Sequence, residues 1–540
     1  MKKLLFILSI GILAVACQKE SLELVNPNEP TLETFKTEVG FEKASRGIYR
    51  CMRSTLTPTG DWYYFIWFTQ WAHNVMGDAT VSSVGNFGIR WANQTSQIIR
   101  SDATVYTPPT GGSQPQELNI RNSRDFGSDN VQSFEWMPMY SLIGYCNLLL
   151  SIVDEVDFSG DEAVVTLKKN SYKAWLYWWK GFAYSRIGSI HSQALIADTY
   201  GEVPTEYVDR HAIIDEANRN FILAKDILGS ISDDNANYST IIGALIPSHF
   251  QVGKGGIITP SMMTRNINTY MARNILVNKY AADLTTTDLN AIEALANTGM
   301  NSTDKTFTVR SFENDDDCFV FQTTWSAYRL NLVWERVSER LIQDFRPGDN
   351  RYTRNVYTLA TPVVNPSGRG YQYSTRFALT SIDNGGDFMS LTAGLAEIPM
   401  ACSYEENQLM LAEVKIRRGE VEAGLAHIDN VRNYQNAALA PLVGTGLNQA
   451  QALEELRSER RIGLFLKNVA FYDARRWGIL KPLSQGGGRT NANVVFTGGV
   501  VDNCTIEYNY KEWWDVPANE SDFNPVTPAA AKKPGNLMPY

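Results

Sequence analysis

The sequence predicts a mainly α-helical fold of tetratricopeptide-like helix pairs, with long irregular loops and a few short strands. Three observations lead there. Leu409, Ala412 and Ile416 recur at helical spacing before Arg417-Arg418-Gly419, a basic last turn with a glycine stop, and Val421, Leu425, Ile428 and Val431 form a second stripe. Two antiparallel helices joined by a tight turn bury such stripes only against each other and a neighbour. A third helix is expected over 449–466, whereas 352–388 is rich in Gly, Pro, Asn and β-formers and reads as loops and short strands.

From the amino terminus, Lys2 and Lys3 precede an apolar run from Leu4 to Ala16 that ends in small residues and Cys17. This order describes a secretory signal peptide, and the run is too short for a bilayer, which takes about 20 residues. Residues 1–16 are therefore expected to be a signal peptide, 17–30 a lipidated tether and 31–540 one helical body. Within the body, an N-terminal part covers about 31–300 and a C-terminal part about 301–540, with no linker or charge block between them. No second stretch reads as a transmembrane span.

Along the body a helix is expected over 32–52, an aromatic segment over 62–71 and a loop-rich region over 77–130. Helices then follow over 131–156, 171–190, 213–228, 261–282, 287–296 and 326–345. After Gly478, Val494-Val495-Phe496 and the segment 505–510 read as a small hairpin. Trp175, Trp178, Trp179 and Phe182 share one helical face and are expected in the core, as are Tyr64, Trp67, Phe68 and Trp71.

Composition excludes several functions. The net charge of -9 opposes a nucleic-acid role. Cys51, Cys146, Cys318, Cys402 and Cys504 are far apart and form no Cys-x-x-Cys pair, so buried thiols are expected and not a zinc site or disulfide framework. The five histidines form no His-Glu-x-x-His, and neither a Gly-x-Ser-x-Gly elbow nor a phosphate-binding glycine loop is present. Asp315, Asp316 and Asp317 lack the spacing of a calcium loop, and no cofactor or metal is expected.

The third helix leads into Glu459-Arg460-Arg461 and then Phe471-Tyr472-Asp473-Ala474-Arg475-Arg476-Trp477-Gly478. This arrangement resembles the C-terminal half of the SusD/RagB family, nutrient-binding lipoproteins of Bacteroidetes outer membranes. Leu13-Ala14-Val15-Ala16-Cys17 looks like the lipobox of such a protein, with lipidation on Cys17. Further elements resemble the family in order: Asn26-Pro27-Asn28, Tyr140 with Asn147-Leu148-Leu149, Phe182-Ala183-Tyr184, Gly201-Glu202-Val203-Pro204 and the tail from Trp513 to Pro525. Gly463, Lys467 and Ala470 stand where the family commonly has two glutamates and an arginine, and Asp515 replaces a proline. Those departures weigh against a shared buried ion network but not against the helix. Glu459, Arg460, Asp473, Arg475, Arg476 and Trp477 are read as scaffold, with arginine forks tying helix to loop.

The resemblance implies a lipid-anchored protein of the outer membrane, facing the cell exterior. It would bind a glycan and deliver it to a SusC-like TonB-dependent transporter, without catalysis of its own. A sugar site wants exposed rings for stacking, with amides, carboxylates or guanidinium groups around them. Trp91 with Asn93, and Trp325 with Tyr328, lie in loop-rich, amide-rich stretches and are the candidate ligand contacts. A peptide ligand, as in RagB-type members, is the alternative. A glycoside hydrolase needs only two carboxylates and is the further one. A purely structural surface protein would have no small ligand at all.

Overall fold

A 29-residue helix with an almost wholly buried second half organises the chain. The computed structural model describes residues 32–51, 55–56, 62–63, 69–82, 88–108, 111–310, 335–363, 374–388, 394–496 and 498–526. Its helices begin with α1 (Glu38–Arg46), α2 (Gln70–Met76), α3 (Ile89–Ala92) and α4 (Gln114–Arg121). Longer ones follow: α5 (Ser133–Ile152), α6 (Glu162–Ile190), α7 (Arg210–Leu228), α8 (Ala236–Leu245), α9 (Pro260–Val277) and α10 (Thr286–Ala296). The C-terminal half contributes α11 (Tyr404–Arg417), α12 (Val421–Tyr434), α13 (Gln449–Gly463) and α14 (Ala470–Arg476). The mainly α-helical class expected from the sequence is the observed one.

Helix α6 is the hub, packed by α5, α7, α8 and α9. It starts where Asp161 accepts a hydrogen bond from the Val164 amide at 2.9 Å, nine residues before the expected start. The first nine residues of the helix, 162–170, are none of them buried, and their start is set by the Asp161 cap and not by an apolar stripe. From Ser171 onward Trp175, Trp178, Trp179 and Phe182 are fully buried, as their shared face predicts. Phe307 stacks on Trp178 with centroids 3.8 Å apart. At Gly181 a Cβ would sit 2.5 Å from the Phe221 ring, so only glycine lets α7 lie this close. Trp71 is buried on α2, while Tyr64, Trp67 and Phe68 lie outside the described residues.

Helices α11 and α12 form the expected antiparallel pair, turning at Gly419 with φ 83°. Helix α13 closes their apolar stripe, and a bridging cluster of Leu276, Ile292, Met410 and Val414 joins the pair to α9 and α10. The expected C-terminal hairpin is the antiparallel pair Arg489–Val495 and Val501–Glu507. Its second strand also pairs with Gln97–Ile99, which pairs with Val105–Tyr106, so the tail completes a four-stranded sheet begun near the N-terminus.

Four expectations are corrected. The helix over 32–52 is broken at Thr37, whose hydroxyl caps α1 by accepting from the Gly40 amide at 3.1 Å, and again at Gly47. In the helix over 326–345, residues 326–334 lie outside the described residues. Glu335–Val337 is a strand paired with Thr80–Ser82, and helix resumes only at Glu339. Backbone pairing with a distant strand decides that segment, and local pattern cannot see it. Helix α8 was not anticipated. Finally, the stretch 133–155 is long and apolar enough to span a membrane, contrary to the reading that no second stretch is. It is a core helix here, with Leu142, Ile143, Cys146 and Leu149 fully buried.

The arginine signature closes the fold. Arg475 donates to the carbonyls of Ser189 at 2.8 Å, Val277 at 3.0 Å and Glu512 at 3.1 Å, and its guanidinium lies 3.6 Å from the Trp513 ring centroid. Arg476 makes a fork to Glu413 at 2.9 and 2.7 Å and reaches Asp473 at 2.7 Å, which also accepts from Arg460 at 2.9 Å. Glu459 receives Arg351 and Arg432. These residues are scaffold, as read from the sequence. A buried ion network does exist among Arg460, Asp473, Arg476 and Glu413, and Lys467 is separately paired with Glu405. The described cysteines with placed side chains, Cys146, Cys402 and Cys504, are buried free thiols.

Replacing Arg475 by Met should leave three buried carbonyls without this donor. A loss of about 3 kcal/mol or more is expected in denaturant unfolding. A variant as stable as the parent would mean that those carbonyls find other donors.

Candidate functional site

Trp91 stands on α3, a single turn that starts at Gly88, whose amide donates to Asp129 Oδ1 at 2.9 Å. The expectation was an exposed ring on a loop. Instead the indole is 4% exposed and lies against two guanidinium groups, Arg121 at 3.8 Å and Arg90 at 4.1 Å from its centroid. Arg121 is held by an ion pair to Glu117 one turn earlier on α4, and Glu117 Oε1 accepts from the Gly112 amide at 2.5 Å. A capping box of Ser113 and Gln116 starts α4. The Gly111 backbone closes the ring edge, where a Cβ would come within 2.6 Å of Trp91 Cζ3. Cation–π contact with two guanidinium groups holds this ring in place.

Where the chain leaves α3, Asn93, Gln94 and Thr95 are all buried, Asn93 at 1% exposure. The Gln94 Nε2 donates to the Gly112 carbonyl. Yet Asn93 Nδ2 and Oδ1, Gln94 Oε1 and Thr95 Oγ1 have no hydrogen-bond partner among the described residues. Each unmet buried polar group costs about 1–3 kcal/mol, so three consecutive residues holding four such atoms gather an unmet demand at one place. Their chemistry, amide donors and acceptors beside a clamped indole, is what binding a hydroxyl-rich or amide-rich ligand requires.

Trp91 and Asn93 are thus brought together, with Gln94 and Thr95. Trp325 and Tyr328, the other two candidates, lie outside the described residues, as do Cys17 and Asp315, Asp316 and Asp317. The contributions of Glu117, Arg121 and Gly112 were not anticipated, because they arrive from some twenty to thirty positions along the chain and only the Ser113 cap signal hints at their helix.

Two carboxyls have raised pKa values. Glu335 is buried, and the loss of water pushes it up to about 8 although Thr80 and Asn74 donate to its Oε1. Burial likewise pushes Glu512 to about 7, with Tyr280 donating to its Oε2 at 2.9 Å. His73 and His191 are pushed down to about 4 by burial, so both are neutral near pH 7. Tyr280 also lines an open cavity of about 640 Å³ with Trp477, whose ring lies between Arg476 at 4.7 Å and Arg457 at 5.3 Å. Trp477 is therefore half-exposed scaffold at a cavity edge. Among the described residues no cluster of His, Cys, Asp or Glu could hold a metal ion.

No protein-family model matches the sequence, and neither does any curated protein. Solved structures do match. A SusD-like carbohydrate-binding protein from Bacteroides fragilis is 14% identical, with TM-score 0.58 over 91% of this chain and 99% of its own. A SusD superfamily protein from Parabacteroides distasonis is 13% identical, with TM-score 0.55 over 92% and 98%. A SusD-like carbohydrate-binding protein from Bacteroides vulgatus is 13% identical, with TM-score 0.53 over 89% and 95%. The chain therefore has the SusD-like fold over nearly its whole length.

Two outcomes follow from this geometry. Trp91→Ala empties a packed site, and a loss of about 3–5 kcal/mol in unfolding is expected; a loss under 1 kcal/mol would mean the ring is not load-supporting. The folded Glu335 carboxyl titrates near 8 against an ordinary 4.5, so between those values the native state binds more protons than the unfolded one. Stability present in full below about 4.5 is then lost as the pH rises towards 8. Glu335→Gln should melt with a smaller fall between pH 4.5 and pH 8 than the parent, and equal falls would contradict the shift.

Proposed function

We propose that this protein is a surface lipoprotein that captures a glycan and delivers it to a SusC-like TonB-dependent transporter. The observation that carries the reading is the unpartnered Asn93 amide, with the unmet Gln94 Oε1 next to it, beside the clamped Trp91. It is supported by the fold, which is shared with proteins described as carbohydrate-binding. Such a site is preorganised: Arg90 and Arg121 hold the ring, and the Asn93 amide meets no partner among the described residues that a ligand would have to displace. A tethered receptor raises the ligand concentration at the transporter's mouth without any chemistry of its own.

The critical experiment exploits the unmet amide. Asn93→Ala removes two buried polar atoms that make no hydrogen bond in the unliganded protein, so the melting temperature should hold or rise. Affinity for the cognate polysaccharide, found by screening a glycan array, should fall by about 1–3 kcal/mol. Unchanged affinity would remove the cluster from the site, and capture of peptides but no glycan on parallel arrays would move the protein to the peptide-binding class.

A hydrolase reading has one observation in its favour, the proton that Glu335 retains near neutral pH, as a general acid requires. We infer binding without turnover, because that carboxyl is buried and hydrogen-bonded to Thr80 and Asn74. Release of oligosaccharides by the purified protein, abolished in Glu335→Gln, would overturn this.

Anchoring rests on Cys17. Cys17→Ala should free the protein from the outer membrane while leaving its glycan affinity intact. Retention of that variant in cells lacking the transporter would show another anchor.

A further inference from the structure

A cavity of about 350 Å³ lies between the α11–α12 pair and the segments around Leu341 and Asp387. It shares no lining residue with the Trp477 cavity and includes none of Trp91, Asn93, Gln94 or Thr95. Its size is that of a small-ligand pocket, and its lining mixes rings with charges. Phe388 and Phe465 meet edge to face with centroids 5.4 Å apart, and Tyr434 faces the same space.

The charges are unequally shared. Arg354 is matched by Asp387 at 2.8 Å, Glu397 by Arg310 at 2.6 Å, and Arg351 by two carboxylates, Asp349 and Glu459. Glu405, in contrast, serves two ammonium groups. Its Oε1 accepts from Lys467 and, at 3.2 Å, from Lys254, and Gln435 Nε2 donates to the same oxygen at 3.3 Å. One carboxylate between two lysines leaves a local excess of positive charge at this end of the cavity, although the named groups balance around it as a whole. Lys254 carries that excess outward: its side chain is 47% exposed, and its Nζ lies 4.8 Å over the Tyr434 ring. Lys467 lies at the buried end, 8% exposed.

We propose that this cavity binds a sugar carrying a carboxylate, a uronic acid or an acidic glycan end, separately from the Trp91 site. The carboxylate would take the place of a second counter-ion between Lys254 and Lys467. The apolar face of the ring would lie on Phe388, Phe465 and Tyr434, with the Asn436 amide at the hydroxyl edge. A lysine supplies a compact charge-assisted donor here, and a neutral sugar of the same shape would leave the excess charge unmatched. Burial works against charge on Lys254, but Glu405 and Tyr434 raise its pKa above the ordinary lysine value. Burial brings Lys467 down to about 8 despite Glu405, so both remain cations near pH 7.

The test is calorimetric titration of the full mature protein with glucuronate and with glucose, at low and at raised salt. Saturable glucuronate binding that weakens with salt, with glucose neither binding nor competing, is expected. Lys254→Gln should weaken it by at least about tenfold and Lys254→Arg should restore most of it. Because this side chain is half-exposed, both variants should melt like the parent. Asn93→Ala should leave glucuronate binding unchanged, which keeps the result separate from that of the Trp91 site. No saturable binding, glucose binding as tight as glucuronate, or an unaffected Lys254→Gln would each overturn the proposal.

Discussion

The fold depends on a single buried cation that collects the loose ends of other elements. Arg475 takes the Ser189 carbonyl from the last turn of α6, the Val277 carbonyl that ends α9 and the Glu512 carbonyl of the tail. Carbonyls at a helix C-terminus lack intrahelical donors and carry the negative end of the helix dipole. Water meets that need at a surface, but these ends are inside the protein. A planar guanidinium with five donors can satisfy several of them at once, and stacking on Trp513 covers its face. The neighbouring Arg476 ties α14 to α11 through Glu413, and Arg460 ties it to α13 through Asp473. One short helix thereby fixes the N-terminal bundle, the C-terminal helix pair and the tail relative to one another.

That rigidity has a consequence for binding. The tail that Arg475 holds continues from the strand that completes the sheet beside Gln97–Ile99, and that strand begins just after Thr95. Gln114, at the start of α4, accepts from the Lys511 amide of the same tail at 2.7 Å and donates to the Ala92 carbonyl at 3.1 Å. The Trp91 cluster is thus pinned between α3, α4 and the tail. The Asn93 amide and Gln94 Oε1 can stay unmet because the surrounding backbone is held away from them, which is how a folded protein stores an unmet hydrogen-bonding demand at one place.

The two ionic arrangements near the C-terminal half differ in kind. Around Glu459 and Glu413, carboxylates meet guanidinium forks in the interior, with Asp473 shared between Arg460 and Arg476. Around Glu405, one carboxylate faces two lysines at the edge of a cavity. The first arrangement is enclosed by protein and holds structure, whereas the second reaches a cavity and leaves its electrostatic attraction open to that space.

Much of this was legible in the residues. Apolar spacing at helical period determined α5, α7, α9, α10, α11, α12 and α13, because each buries a stripe that its own sequence displays. The four aromatic residues of α6 declared themselves as core by sharing one face. The arginine signature declared its structural part through residue chemistry, since such forks inside a helix need carboxylates or carbonyls to meet them. The unburied start of α6, the strand at Glu335–Val337 and the completion of the four-stranded sheet by the tail were decided only in three dimensions. The reason is the same in each case: capping, strand pairing and sheet completion are satisfied by groups far away in sequence. So too at the site. The sequence put an aromatic residue and amides together at 91–94, but only the tertiary structure buried the ring against Arg90 and Arg121 and left the Asn93 amide and Gln94 Oε1 without partners among the described residues. Burial and hydrogen-bond satisfaction are properties of what surrounds a residue, not of the residue itself.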